Sequence, residues 1–372
     1  EIPLRLVGSE MCIRDRLFSM RTLYVSRTPA DSSVYPTISA ALDAIPMDLN
    51  EPACIYLAPG IYHEKITINK PYLTILGTGK SNKDVVLTYD DYALAPMADI
   101  GKLGTFRSYS VFIDTHDVTL QNLTIENASG DSLTHGQAIA LYADGDRLVI
   151  DSCRLIGHQD TLFTGPLPPK EIEPDGFIGP KQFAPRINGR QYYKNCYICG
   201  DIDFIFGSAT AYFENCVIES LCHTTNVNDI QGYITAASTP ESQEYGYVFS
   251  NCKLISKDCP PNSVYLGRPW RNYAKTVFLE CALGNHIHEC GFHDWKKEDA
   301  RNTVLYAEYR NYPASSADTT SNNRSLNDDI HCIDGRCIPY PHRAEYVCEL
   351  DAVQAEHFSK ENVLSGADYW NP

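Results

Sequence analysis

The chain has 372 residues, with 31 Lys and Arg against 47 Asp and Glu, so its formal net charge is −16. Such an acidic surface argues against nucleic acid or an anionic membrane as a partner, and no apolar run is long enough to span a bilayer. A polyanionic substrate would be repelled unless its binding groove is locally neutral or basic.

The first 16 residues differ in character from the rest of the chain. They lack the basic start, apolar centre and small-residue cleavage site of a secretory signal, and they resemble translated adaptor sequence. We therefore interpret residues 1–16 as a non-native leader and residues 17–372 as a single domain. Two loop excursions are expected within it, at about 165–186, rich in Pro and Gly, and at about 314–342.

Residue 21 begins a predicted first strand, and residues 37–46 predict an amphipathic helix that ends at Pro46. Short β-rich runs separated by turn residues follow it: 54–57, 65–68, 73–76, 85–88, 111–113, 118–125, 138–142 and 148–150. Near the C-terminus, a short helix and tail are expected to pack on the outside. Many short strands indicate an all-β protein, as a sandwich, propeller or solenoid.

An internal repeat favours the solenoid. A small polar residue is followed by a small or apolar one, then any residue, then Ile or Leu, and the pair recurs at Asn122-Leu123, Ser152-Cys153, Asn195-Cys196, Asn215-Cys216, Asn251-Cys252 and Glu280-Cys281. Asn suits a left-handed turn, and Cys packs as a small hydrophobe. The repeat predicts a right-handed parallel β-helix, with a sandwich of ordinary strand–turn composition as the alternative.

Fourteen cysteines do not make this large chain a small disulfide scaffold. The repeated cysteines are predicted to be buried thiols. Cys332 and Cys337, in a polar loop, are the best candidates for a bonded pair. Cys196 and Cys199 have no second pair at zinc spacing, so they indicate a metal site only weakly.

Two acidic residues stand beside aromatic, β-favouring runs. Asp203 lies within residues 200–207 and Asp160 within residues 158–163. Burying a carboxylate is costly unless a partner or a chemical role compensates. Either residue alone could simply cap a turn, but two carboxylates in partly apolar settings suit acid–base or nucleophilic chemistry.

The spacing of these residues fits stacked coils. Gln137 and Gln159 are 22 residues apart, and Asp160 and Asp203 are 43 apart, or 21 without the 22-residue excursion at 165–186. One coil of a β-helix has about this length, so the four side chains are expected on successive rungs about 4.8 Å apart. Because residues 159 and 160 are adjacent, strict alternation would separate them, and both can serve only if the backbone bends there.

Two further residues belong to the segment 265–270. Arg268 carries a fixed, forked cation suited to a carboxylate, although an ordinary surface arginine is the simpler interpretation. Trp270 suits sugar stacking, and a core or rim tryptophan is the alternative.

Six segments occur in the order typical of one family: residues 60–64, 105–108, 137–141, 159–162, 203–207 and 266–270. Over about residues 22–372 the chain resembles the pectin methylesterase (pectinesterase) family. The resemblance implies a parallel β-helix with a carbohydrate cleft. It also implies hydrolysis of galacturonate C6 methyl esters in pectin, giving methanol and a free carboxylate.

The resemblance implies roles for the matching positions. Asp203 is expected to be the nucleophile that forms an acyl-enzyme, and Asp160 the acid that protonates methanol and then the base that activates water. Gln159, with Gln137, is expected to stabilise the oxyanion, and Arg268 to orient Asp203 and keep it ionised.

Substrate contacts are expected at four positions, Thr105, Phe163, Phe204 and Trp270. No cofactor or metal is implied, and the expected partner of a monomeric enzyme is methyl-esterified homogalacturonan or its oligomers. The family likeness implies secretion, whereas the many cysteines and the lack of a recognisable signal leave a cytoplasmic location open.

Two other functions fit a pectin-related β-helix. A polysaccharide lyase would need clustered acids for calcium and an arginine base, and it would cut the backbone. A non-catalytic carbohydrate-binding β-helix would need none of the candidate residues. The chain has no Gly-x-Ser-x-Gly segment, so nothing in it indicates a serine-triad esterase.

Overall fold

The structure is a computed structural model that describes residues 20–47, 51–98, 101–314 and 342–372. The leader at 1–16, the Cys332–Cys337 pair and nearly all of the excursion at 314–342 therefore lie outside the described residues. No helix in the described ranges is long and apolar enough to cross a membrane.

The first half of the chain contains β1 Arg21–Val25, β2 Val34–Tyr35, α1 Ile38–Asp43, β3 Ala53–Leu57, β4 Gly60–His63, β5 Ile66–Ile68, β6 Leu73–Gly77, β7 Val85–Tyr89, β8 Pro96–Met97, β9 Gly101–Lys102, β10 Val111–Ile113, β11 Val118–Gln121, β12 Thr124–Asn127, α2 Ser132–His135, β13 Leu141–Ala143, β14 Leu148–Asp151, β15 Arg154–Ile156 and β16 Leu162–Thr164. The second half contains β17 Arg190–Lys194, β18 Tyr197–Gly200, β19 Ile202–Gly207, β20 Thr210–Glu214, β21 Val217–Ser220, β22 Gly232–Ala237, β23 Tyr247–Ser250, β24 Lys253–Ile255, β25 Val264–Gly267, β26 Lys275–Leu279, β27 Ala282–Leu283, β28 Leu305–Tyr309, β29 Tyr312–Pro313, β30 Val347–Glu349, α3 Ala352–Glu356 and α4 Lys360–Leu364.

Within the described residues all strands except β8 and β9, which pair antiparallel with each other, form three parallel sheets, here called sheets 1, 2 and 3. Sheet 1 has the order β2-β1-β3-β6-β11-β14-β17-β20-β23-β26-β28-β30, sheet 2 the order β25-β22-β19-β16-β13-β10-β5, and sheet 3 the order β29-β27-β24-β21-β18-β15-β12-β7-β4. In each sheet a strand pairs with the equivalent strand of the next coil. This arrangement is a parallel β-helix, so the predicted fold class is confirmed and the sandwich is excluded.

A left-handed residue turns the chain between sheets 1 and 3 in coil after coil. Its φ angle lies between 52° and 55° at Asn122, Ser152, Asn195, Asn215, Asn251 and Glu280. The side chain that follows is buried each time, and the Cys216 Sγ, for example, donates to the carbonyl oxygens of Tyr193 and Glu214, both at 3.4 Å. The predicted turn and the buried thiols of the repeat are confirmed. The turn also divides the predicted strand at 118–125 into β11 and β12.

An aromatic stack runs along the core from coil to coil. The rings of Tyr193, Phe213, Phe249 and Phe278 lie parallel, with successive centroids 4.6, 4.4 and 4.5 Å apart. The strands that carry them are in register, so equivalent side chains lie directly above one another. Such contacts add to the burial of apolar area and fix the spacing of the coils.

Helices cover one end and one outer face of the stack. Thr37 caps α1, and the buried Ile38, Ala41 and Leu42 turn towards the first coils, as the amphipathic pattern predicts. At the C-terminus, the apolar side chains of α3 and α4 pack on the outer face of sheet 1, where Phe358 and Val363 meet a cluster that contains Tyr192. The expected external C-terminal helix is thus present as two short helices.

Candidate active site

The two candidate acids come from neighbouring rungs of sheet 2. Strands β13, β16 and β19 pair in parallel, with Leu141 opposite Leu162 and Leu162 opposite Ile205. Just before these strands, the amide of Asp160 donates to the carbonyl of Ile202 at 3.1 Å. Residues 159–160 and 203 are therefore adjacent in space, on one wall of one cleft.

Gln137 lies on the next rung, because the amide of Ala138 donates to the Gln159 carbonyl at 3.0 Å. The predicted strand at 138–142 begins too early, since β13 begins only at Leu141. Residues 137–140 bond to the neighbouring rung without forming a regular strand. This irregular path still directs the amide side chain of Gln137 into the same cleft as Gln159.

Both acids occupy left-handed backbone positions, with φ of 65° at Asp160 and 50° at Asp203. The pairing of β19 with β22 also shifts register between Ile202 and Ile205. Such conformations are costly for residues other than glycine and occur often at functional sites. The bend at residue 160 lets adjacent residues 159 and 160 both line the cleft, which strict alternation would forbid.

Arg268 holds Asp203 through a two-pronged ion pair. Its Nε donates to Oδ1 at 2.8 Å and its Nη2 to Oδ2 at 2.7 Å. The backbone is fixed as well, because the Arg268 amide donates to the carbonyl of Thr235 at 2.9 Å. Bidentate guanidinium–carboxylate pairs are strong and directional, so this contact fixes both the charge and the orientation of Asp203.

Two aromatic rings enclose the guanidinium of Arg268. Its central carbon lies 3.8 Å from the ring centroid of Tyr233 and 3.8 Å from that of Trp295. Cation–π contacts of this kind hold a guanidinium in place without competing for its N–H donors. Sequence reasoning missed both rings, because no motif connects them with residue 268.

The two carboxyl groups differ in electrostatic setting. Burial raises the pKa of Asp160 well above its usual range, and the negative charge of Asp203 raises it further, against the opposing effect of Arg268. Burial also raises the pKa of Asp203, but the charge and hydrogen bonds of Arg268 oppose that rise. Asp160 therefore holds its proton to higher pH than Asp203, which separates an acid from an anion.

The cleft above these residues has a volume of about 880 Å³. Thr105, Gln137, Gln159 and Trp270 line it together with the two acids and Arg268. One wall comes from the excursion at 165–186, whose residues 172–178 face the cleft. A groove of this size with aromatic walls can hold several atoms of a sugar ring around the acid pair.

Two of the expected substrate contacts lie below the surface. Phe163 and Phe204 are both 0% exposed, and neither lines the cleft. Phe163 is covered by Phe106, with ring centroids 5.0 Å apart, and Phe204 belongs to the main core. The structure therefore does not support direct contact of these two residues with a substrate. Phe206 lines the cleft in their place.

Cationic side chains concentrate at the cleft although the whole chain is acidic. Arg271 and Lys297 line it beside Arg268. Burial, with smaller contributions from the charges of Arg271 and Arg268, lowers the pKa of Lys297 to about 8. Burial likewise lowers the pKa of Arg271 to about 10. Three cationic side chains thus lie together at this point of the groove. Binding of a polyanionic substrate to an acidic protein requires such a locally basic site.

A carboxylate paired with a guanidinium, a second buried carboxyl group and two amides in one cleft of a parallel β-helix are suited to a carbohydrate-active hydrolase. The family model described as Pectinesterase matches residues 25–166 and 186–327. The chain belongs to the pectinesterase family. The two matched segments leave out residues 167–185, within the excursion that forms one wall of the cleft.

Individual relatives agree with this membership. Pectinesterase 31 of Arabidopsis thaliana is 32% identical, over 83% of this chain and 90% of its own length. Probable pectinesterase A of Neosartorya fischeri is 35% identical, over 86% of this chain and 88% of its own length. Among solved structures, a pectin methylesterase in complex with hexasaccharide VII superimposes with a TM-score of 0.70 and 26% identity, covering 95% of this chain and all (100%) of that one.

Proposed function

We propose that this pectinesterase hydrolyses the C6 methyl esters of galacturonate units in pectin, with Asp203 as the nucleophile and Asp160 as the general acid and base. The observation that carries the proposal is the pairing of a guanidinium-bound Asp203 with a buried, proton-retaining Asp160 on one wall of the cleft. An ester carbonyl placed between them would meet an anion on one side and a proton donor on the other.

In the first half of the reaction, an oxygen of Asp203 attacks the ester carbonyl carbon. The carbonyl oxygen gains negative charge, and the amide N–H groups of Gln159 and Gln137, which line the same cleft, can donate to it. Each such donor contributes on the order of 2.7–4 kcal/mol to the stability of a transition state. The two hydrogen bonds from Arg268 hold the Asp203 carboxylate in one orientation during the attack.

The tetrahedral intermediate then collapses. The bond from carbon to the methoxy oxygen breaks as Asp160 transfers its proton to that oxygen, and methanol departs. The galacturonate acyl group is left bonded to Asp203, and Asp160 is now an anion. The raised pKa of Asp160 suits both halves, since it holds a proton to donate and then accepts one readily.

In the second half, ionised Asp160 removes a proton from water, and the hydroxide attacks the acyl carbon. The bond to Asp203 breaks, which releases a galacturonate carboxyl group and restores the Asp203 anion beside Arg268. Asp160 is protonated again, so both side chains return to their starting states. The net reaction consumes one water for each methanol released.

The proposed substrate is methyl-esterified homogalacturonan or its oligomers, bound by a monomer. Trp270 lines the cleft next to Asp203 and Arg268, where its ring can stack on a sugar, and Thr105 lines it too. A similar pectin methylesterase has been solved with a hexasaccharide, which supports an oligosaccharide as ligand. The local concentration of Arg268, Arg271 and Lys297 suits free carboxylates along the chain.

The test is product analysis on highly methylated homogalacturonan, with and without a chelator. We expect methanol and new carboxylates in equal amounts, no unsaturated uronate detectable by ultraviolet absorbance, and the same rate when chelator is present. Unsaturated chain ends without methanol would contradict the proposal and indicate a lyase. Binding without any product would indicate a carbohydrate-binding protein.

A further inference from the structure

A third buried carboxylate, Asp201, lies behind the two candidate acids and is 1% exposed. Its Oδ2 accepts a hydrogen bond from the Ser132 hydroxyl at 2.5 Å, and the Nδ1 atoms of His223 and His158 lie 3.4 and 3.6 Å from it. Its Oδ1 accepts from the Ile202 amide at 2.6 Å. We call Asp201, Ser132, His158 and His223 the Asp201 hub.

The hub connects separate segments that carry the site. Ser132, on α2, precedes Gln137 by five residues, and His158 directly precedes Gln159. The Asp201 carboxylate therefore contacts the two segments that lead to Gln137 and Gln159, the candidate donors to the oxyanion.

The backbone around Asp201 is bound to the neighbouring rungs on both sides. Its amide donates to the His158 carbonyl at 3.3 Å, and its carbonyl accepts from the Tyr233 amide at 3.1 Å. The next residue, Ile202, accepts from the Asp160 amide. The hub thus lies between the two left-handed turns that direct Asp160 and Asp203 into the cleft.

The hub also places a negative charge behind the acid pair. Burial by itself would raise the pKa of Asp201, but hydrogen bonds from His158, His223, Ser132 and the Ile202 amide outweigh burial and lower it. The resulting anion adds to the rise in the pKa of both Asp160 and Asp203.

Other charges face the hub from each side. The hydrogen bond to Asp201 raises the pKa of His223, and the charge of Asp131, at the start of α2, adds to that rise. Asp160 and Asp203 face Asp201 from the cleft, with Arg268 beyond Asp203. A protonated His223 would offset the anion, so the field at the acid pair depends on the charge of His223.

Ser132, His223 and Asp201 are the residue types of a serine triad, but their order in space is different. The hydroxyl donates directly to the carboxylate, and the same His223 Nδ1 lies 3.0 Å from the hydroxyl and 3.4 Å from the carboxylate, whereas a triad uses two different ring nitrogens. Ser132 is also buried and does not line the cleft. No group of His, Cys, Asp and Glu within the described ranges is arranged to hold a metal ion. The hub is therefore best explained by its effect on the neighbouring acids.

We propose that Asp201 is a positioning residue of the esterase site, which fixes the two left-handed turns and sets the pH range in which Asp160 and Asp203 work. The proposal rests on the proposed function of those two residues. It assigns to Asp201 an electrostatic role as well as a structural one, and the two can be separated by experiment.

The test compares methanol release by the wild type and by Asp201→Asn across the pH range. Asparagine keeps the shape but removes the charge, so we expect both limbs of the kcat/KM profile to move to lower pH. We also expect kcat to fall by about 10–100-fold, as for other supporting groups, with KM little changed. An altered stability with unmoved limbs and unchanged kcat would overturn the proposal.

A second variant, His223→Gln, tests the sign of the effect and serves if Asp201→Asn fails to fold. It removes a group that offsets Asp201 wherever it is protonated, so a limb that falls in that pH range should move to higher pH, opposite to the first variant. Unmoved limbs, or a downward shift, would overturn the proposal. The matched control is Asp146→Asn, which breaks an ion pair with Arg190 away from the cleft and should leave both limbs in place.

The wild-type measurement separates this proposal from the one it rests on. Methanol release by the wild type together with unshifted variant profiles would remove the role of Asp201 and leave the proposed function intact. A wild type that releases no methanol from methylated homogalacturonan would remove both.

Discussion

Asp160 and Asp203 show how one cleft can keep two carboxyl groups in different protonation states. Both are nearly buried, with 7% and 6% of their surfaces exposed, so desolvation acts on both in the same direction. The difference comes from Arg268, whose fork bonds only Asp203. The general rule is that two acids acquire separate roles when a fixed cation serves one of them.

The first prediction concerns this cation. The kcat/KM profile should be bell-shaped, rising with pH as Asp203 ionises and falling as Asp160 loses its proton. Arg268→Lys loses the fork, so the pKa of Asp203 should rise and the ascending limb should move to higher pH. The rate at the optimum should fall roughly 10–100-fold, the equivalent of a charged hydrogen bond.

Arg271→Lys is the matched control, because Arg271 lines the same cleft but donates to the carbonyls of Trp270 and Lys170. Its ascending limb should stay where the wild type has it. Equal shifts for both substitutions would mean that the general charge of the cleft, not the bond to Asp203, sets that limb.

Individual site residues could be predicted where coil spacing applies. Gln137, Gln159, Asp160 and Asp203 lie on adjacent rungs of one sheet, as the intervals of about one coil predict. Phe204 could not be assigned from its place in the sequence, because the turn at Asp203 reverses the alternation of the strand and sends the next side chain into the core.

The rings around Arg268 could not be predicted for a different reason. Tyr233 and Trp295 come from a neighbouring strand and from a loop, and neither belongs to a segment with a recognisable pattern. Only the closure of the coils brings them to the guanidinium. Contacts of this kind depend on tertiary structure, for which no local sequence signal exists.

At the scale of elements, the repeated turn and the stacked rings specify the coil. The left-handed residue makes the turn between sheets 1 and 3, and the side chain of the next residue packs in the core. This pattern was readable because turn chemistry is local. The ends of the strands were less readable, and β13 starts three residues later than the apolar run at 138–142 suggested.

The second prediction concerns the aromatic stack. Phe249→Ala should lower the free energy of unfolding by about 3–5 kcal/mol, because it opens a cavity between two stacked rings in the core. Urea denaturation measures the change. Tyr24→Ala is the control, since Tyr24 stacks on Tyr56 at 5.4 Å but is 53% exposed, and it should cost far less. Equal losses would contradict a packing role for the stack.

The excursion at 165–186 is the element in which this chain departs most clearly from its family. Phe177 anchors it against Phe106 and Trp270, with ring centroids 5.8 and 6.2 Å apart. Arg186 ties its base by donating to four backbone carbonyls, those of Pro168, Lys181, Gln182 and Ala184. An anchored wall with acidic residues at the cleft should influence which pectins can bind.

The third prediction tests that wall. Glu173 and Asp175 line the cleft and should repel free carboxylates of partly de-esterified pectin. Glu173→Gln combined with Asp175→Asn should lower KM for that substrate about two- to fivefold at low salt, the scale of an exposed charge interaction. KM for fully methylated substrate should not change.

Glu171→Gln is the control for the wall, because Glu171 belongs to the same loop but does not line the cleft. A fall in KM as large as that of the double variant would show that overall charge, and not the wall, is responsible. No fall in either would remove the excursion from substrate selection.

At the scale of the whole molecule, one apolar core runs through the stack. A single cluster of buried side chains extends from Leu23 in β1 to Tyr306 in β28. Among the described residues this one cluster spans the coils, which supports our proposal that the domain is single. Length alone would have suggested two or three domains, because that estimate ignores the repeat.

The fourth prediction follows from the continuous core. Unfolding by urea should give one transition, with coincident midpoints for far-ultraviolet circular dichroism and for tryptophan fluorescence. Trp270 and Trp295 report the cleft and Trp370 the C-terminal segment, whereas circular dichroism reports all coils. Separate midpoints would mean that the coils around the cleft unfold as an independent unit.

The net charge of −16 and the cationic groups of the cleft act at different distances. Screening confines the effect of exposed charges to about 10 Å at 0.1 M salt, so a bound uronate interacts mainly with the groups that line the groove. The net charge therefore predicts only that nucleic acid is a poor partner, and it could not locate Arg271 and Lys297 beside Arg268. Local geometry decides what an acidic protein can bind.

The most direct measurement is methanol release from methylated homogalacturonan by Asp203→Asn, Asp160→Asn and Asp144→Asn. Asp144 is buried to a similar extent but lies outside the cleft, so it controls for the loss of a buried carboxyl. We expect no release above background from Asp203→Asn, a fall of about 10²–10⁴-fold for Asp160→Asn, and near wild-type release from Asp144→Asn. Methanol release by folded Asp203→Asn at the wild-type rate would contradict the account.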